Sequence, residues 1–98
     1  MTTSQKAALL AVLKNDLGIV ATIYDERLGQ LLDVSFEQIK AEGAKTLSAD
    51  ALADQQLIVM YAGWLWRRRD SMSGMPRMLR YAINNRVFSE KMAGEANG

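Results

Sequence analysis

The stretch WLWRRRDSMSGMPRMLRYAINNRVF sets two tryptophans against three consecutive arginines, Arg67, Arg68 and Arg69, and follows them with Arg77, Arg80 and Arg86. A run of guanidinium groups can bind phosphate, because each planar fork matches two phosphate oxygens at once. The same run suits a solvated helix C-terminus, where cations complement the negative end of the helix dipole. It also suits a protein interface, since arginine, tryptophan, tyrosine and methionine are all enriched there. Tyr61, Trp64 and Trp66, immediately before the cluster, fit either a core or an interface.

Other chemistry is scarce. The chain has no histidine and no cysteine. It therefore lacks the usual general base, the thiol nucleophile, the commonest metal ligands and any disulfide framework. Asp25 with Glu26, and Asp50 with Asp54, are paired carboxylates that could in principle move protons. Each pair falls on a polar face near a helix start, where acids serve the dipole and solubility. Phosphate-binding glycine loops, metalloprotease and calcium-loop patterns are missing. The expectation is a protein that is not an enzyme and needs neither metal nor cofactor.

A chain of 98 residues, 49% hydrophobic with a single proline, has room for one core and is rich enough in apolar residues to build it. Twelve basic residues against eleven acidic ones leave a net charge of +1, so any basic function must be local. No apolar run reaches the ~18 to 20 residues that span a bilayer, and the N-terminus lacks an export-signal pattern. A chain made in the cytoplasm, with no membrane partner, is expected.

Helical periodicity supplies the elements that must position these residues. A short helix after Ser4 carries Leu9, Leu10, Leu13 and Leu17 and stops at Gly18. A second starts at Thr22, lines up Leu28, Leu31, Leu32, Ser35 and Ile39, and ends near Gly43. The third, capped at Ser48, reads as the longest; from Leu57 to Trp66 it is apolar on every face, as a central helix requires. After DSMSG, Pro76 opens a fourth helix whose apolar side is Met78, Leu79, Ala82 and Ile83. The prediction is a single all-α domain over residues 1–98, a bundle of about four helices with a long central helix. Its core includes Leu13, Leu28, Leu32, Ile39, Ile58, Tyr61, Leu65, Leu79 and Ile83. Residues 89–98, ending in MAGEANG, are expected to form a flexible or partner-ordered tail.

The order of these helices, with the blocks YAGWLWRRR and MPRMLRYAINNRVFSEK, resembles the small head-tail connector (adaptor) proteins of tailed bacteriophages, from about Leu9 to Lys91. The resemblance implies a non-enzymatic virion protein made in the bacterial host cytoplasm. It further implies a homo-oligomeric ring, typically of about twelve copies, below the portal protein. Such a ring joins the DNA-filled capsid to a tail-side connector or stopper protein, and DNA passes through it without sequence-specific binding. On this reading Arg67, Arg68 and Arg69 face a neighbouring copy or the channel, and Arg86, Val87, Phe88, Lys91 and Met92 form the portal or neighbour interface. Two other readings stay open: a small helical DNA-binding regulator that uses its arginines on phosphates, and a helical interaction module with an unrelated partner.

Overall fold

Leucines four residues apart build α1, Thr3–Leu17, and bury Leu9 and Leu13. In the computed structural model, which describes residues 1–68 and 74–97 and the side chains of those up to Gly94, three further helices follow: α2, Asp25–Ala41; α3, Leu52–Arg68; and α4, Arg77–Asn97. The protein is an all-α bundle, with no strand among the described residues. The whole stripe foreseen on α2, from Leu28 to Ile39, is buried, and the Ser35 hydroxyl is satisfied within it by donating to the Leu31 carbonyl at 2.7 Å.

The helix α3 touches the other three, which is why Leu57, Ile58, Val59, Tyr61 and Ala62 can all be buried although they point in different directions. The helices α1 and α2 also pack on each other, whereas α4 leans mainly on α3 through Leu79 and Ile83. Of the expected core, only Leu65 is not buried; it is partly covered and packs against the cluster's margin. The molecule is thin, 48 × 32 × 17 Å, so a large share of each helix faces outward.

Boundaries depart from expectation where local hydrogen bonds outweigh pattern. Thr2, not Ser4, caps α1, because Gln5 completes a capping box: the Thr2 hydroxyl accepts from the Gln5 N–H at 3.1 Å and the Gln5 side chain accepts from the Thr2 N–H at 2.8 Å. Gly18 ends the helix as expected, in the left-handed conformation at φ 71°. Thr22 closes a turn through its carbonyl, and Tyr24 takes the cap position of α2 with no side-chain cap.

The third helix begins at Leu52 rather than after Ser48. The Ser48 hydroxyl is spent on a local turn, accepting from the Asp50 N–H at 3.2 Å. The connector before it carries Ala44, Leu47 and Ala49, which are buried in the core. Gly43 there has φ 128°, and a Cβ on it would lie 2.9 Å from a Val87 methyl; only glycine lets the connector pass α4 so closely.

Among the described residues the longest helix is α4, with 21 residues against 17 for α3. Residues 89–97, expected as a flexible tail, continue it, because Glu, Lys, Met and Ala there are strong helix formers. Pro76 stands just before the first helical residue and its carbonyl accepts from the Arg80 N–H at 3.1 Å.

Candidate interaction surface

The residues singled out in the sequence fall into three places. Tyr61 is buried and meets Trp64 edge-to-face, with ring centroids 5.4 Å apart; burial and the nearby Glu42 carboxylate push its hydroxyl pKa upward. Trp66 meets Tyr24 in the same manner at 5.3 Å and thereby ties the α1–α2 connector to the C-terminal end of α3. The aromatic group thus serves the margin of the core. At the same helix end Arg67 and Arg68 are exposed, and the Arg68 guanidinium lies 4.8 Å from the centre of the Trp64 ring, a cation–π contact. Arg69 lies outside the described residues.

The five residues expected at an interface divide by helix face. Arg86 turns inward. Its Nε donates to Asp54 Oδ1 at 2.8 Å, and its Nη2 donates to the Thr46 hydroxyl at 3.0 Å and to Asp54 Oδ2 at 3.4 Å. The Asp54 hydrogen bond, outweighing partial burial, raises the Arg86 pKa further. Asp54 is only 6% exposed and also accepts from the Ser48 N–H at 2.9 Å, so it belongs to the frame of the fold rather than to a polar surface. Val87 is half-buried against Gly43. Phe88, Lys91 and Met92 face outward, with Phe88 63% exposed.

Sequence reading missed three features. Glu90 accepts from the backbone N–H groups of Lys45 and Thr46 at 2.7 and 2.6 Å and from the Thr46 hydroxyl at 2.7 Å. The Thr46 hydrogen bonds, joined by Lys45 and the Arg86 charge, hold its carboxyl down to about 2. Met78, assigned to the apolar side of the fourth helix, is 75% exposed. With it, Tyr81, Asn85, Phe88 and Met92 form one outward row with alternating spacings of three and four residues. The third feature is the α1–α2 connector, where Val20 and Ile23 are 91% and 79% exposed. The row on α4 could have been found by testing its sequence for a heptad rather than for a single 3.6-residue stripe. The connector could have been found from the apolar residues of IVATIY, which stand between two helices with no helical period of their own.

Alongside this row a groove of about 240 Å³ is lined by Ile83, Val87 and Phe88, with Asn84, Lys91 and Glu42 at its rim. Glu42 is already paired with Arg80 at 2.6 Å, whereas Lys91 has no partner among the described residues. No cluster of acidic side chains able to hold a metal ion occurs among the described residues, and no helix there is long and apolar enough to cross a membrane. What the described residues bring together here is an exposed apolar surface with a charged margin. No family model, no curated protein and no solved structure matches the chain.

Proposed function

We propose that this chain is a structural assembly subunit that works as a homo-oligomeric ring, in the manner of the phage head-tail connectors its sequence resembles. In that role it sits at the head–tail junction of a virion, between the portal protein and a tail-side connector or stopper, and DNA passes through its channel without being read. One observation carries the reading. The outer face of α4 is a row of exposed apolar side chains, while its inner face is fastened to the body by charged groups. Scattered exposed apolar residues are ordinary, but four large ones, Met78, Tyr81, Phe88 and Met92, aligned on one helix face and interrupted only by Asn85, support a contact site.

The DNA-binding reading finds less support. Of the two described arginines in the cluster, Arg68 is engaged over Trp64, and Arg86 and Arg80 are held in internal ion pairs. Titration against a short DNA duplex over a range of salt, beside size-exclusion chromatography with an assembled portal ring, separates the two. The connector reading expects co-elution with the portal and only weak DNA binding at physiological salt. Micromolar DNA binding that falls steeply with salt and is lost in Arg67→Ala/Arg68→Ala, without portal binding, would replace it with the regulator.

A further inference from the structure

The α2–α3 connector, residues 42–51, is divided between two sets of partners. Its first half is tied to α4: Glu42 pairs with Arg80 at 2.6 Å, Gly43 lies against Val87, and the Lys45 and Thr46 N–H groups donate to the Glu90 carboxylate at 2.7 and 2.6 Å. The Thr46 hydroxyl donates to Glu90 at 2.7 Å and accepts from Arg86 at 3.0 Å. The second half is tied to α1 and α3. The Asp50 carboxylate accepts from the Gln5 side chain at 2.9 Å, and the Ala49 carbonyl accepts from the Gln55 side chain at 2.8 Å. Asp54 marks the boundary, since it accepts from the Ser48 N–H at 2.9 Å on one side and from the Arg86 guanidinium at 2.8 Å on the other.

Each of the two parts depends on the other. Within the first half of the connector the backbone bonds itself only at the ends, Gly43 to Lys40 at 3.0 Å and Leu47 to Ala44 at 3.1 Å, so the Lys45 and Thr46 amides lose their acceptor when Glu90 leaves. Among the described residues α4 buries Leu79 and Ile83, against six residues on α2 and seven on α3, and partly exposed ion pairs such as Arg80–Glu42 add little to its hold. The helix α1 also buries only Leu9 and Leu13, but it packs on both α2 and α3, whereas α4 leans mainly on α3. The cheapest large opening of the molecule is therefore at α4.

We infer that α4 and residues 43–47 form one latch, which opens and closes as a unit on a body made of α1, α2, α3 and residues 48–51. Opening bares Ala44, Leu47, Leu79 and Ile83 together, while Leu9, Leu13, Leu28 and Leu32 stay packed among the first three helices. The inference is independent of the ring reading. Whatever holds α4 in place also holds the Lys45 and Thr46 amides, because both share a single opening.

Hydrogen exchange of the full chain, followed amide by amide by NMR in urea below the unfolding transition, tests the latch. The Lys45 and Thr46 amides are expected to share one urea dependence with those of Arg86 to Glu90 and to exchange faster than Leu32 and Ile58 in the body. Ile83→Val removes one buried methylene from α4 and leaves the fold in place; it should speed the Lys45, Thr46 and α4 amides by the same factor, about five-fold. Lys45 and Thr46 amides that exchange together with Leu32 and Ile58, or that stay unchanged in Ile83→Val while α4 speeds up, overturn the latch. So does an α4 whose own amides exchange only with Leu32 and Ile58, since the helix would then leave the body only on complete unfolding.

Discussion

The two faces of α4 both carry large apolar groups, one packed on the core and one in solvent. Its inner face buries Leu79 and Ile83, packs Ala82 and Val87 on the core, and is further fastened by charge: Arg86 to Asp54, and Glu90 to the backbone of Lys45 and Thr46. Its outer face carries Met78, Tyr81, Phe88 and Met92 in solvent. A helix that only completed a monomer would turn those apolar groups inward and leave ions outside. Charged, geometrically specific contacts fix where the helix lies, and the apolar groups are left available for something else.

If the inner face is what fastens α4, the largest effect on the monomer comes from its apolar anchor. Ile83→Ala, at a position with no exposure, should cost about 4 kcal/mol by urea unfolding, a large part of the stability of so small a domain. Asp54→Asn should cost about 2 kcal/mol, because the partly covered Arg86 guanidinium loses its nearest carboxylate and keeps only Glu90, 3.5 Å from its Nη1. A loss below about 1 kcal/mol there would show that the ion pair is incidental to the placement of α4.

Glu90 gives a smaller, pH-dependent effect. Its carboxyl titrates near 2 in the fold against an ordinary 4.5. Its contribution is therefore complete above about pH 4.5 and is lost as the pH falls through about 2. Thermal midpoints of the wild-type chain and Glu90→Gln should differ at pH 7 and converge over that window. A gap that persists unchanged to pH 2 would mean that the charge of the carboxylate is irrelevant. The smallest effect on the monomer belongs to the outer face: Phe88→Ser should change stability by no more than about 0.5 kcal/mol, since the ring is largely hydrated already. A loss near that of Ile83→Ala would make Phe88 a packing residue and erase the contrast.

What was legible in the sequence follows the reach of each interaction. The α2 stripe and the Gly18 stop depend on neighbours within a few residues, and periodicity reveals them. The Arg86–Asp54 and Glu90–Thr46 contacts join residues 32 and 44 positions apart, and no local pattern marks them. Their consequence is that Arg86, grouped with Phe88 as a surface residue, belongs to the fold's frame. Burial of Ala44, Leu47 and Ala49 was hidden for a similar reason, because a connector acquires an inner side only from the helices that close over it. Met78 and Leu79 stand side by side with similar hydropathy, and only the placement of α4 sends one outward and the other in.

The central claim, that the outer face of α4 is an assembly surface, is tested most directly by native mass measurement of the wild-type chain and of Phe88→Asp, each alone and on a portal ring. The account predicts one discrete closed species, a fixed multiple of 10.9 kDa, for the wild-type chain, and monomer with unchanged helix content for Phe88→Asp. Identical mass distributions for the two proteins would contradict it.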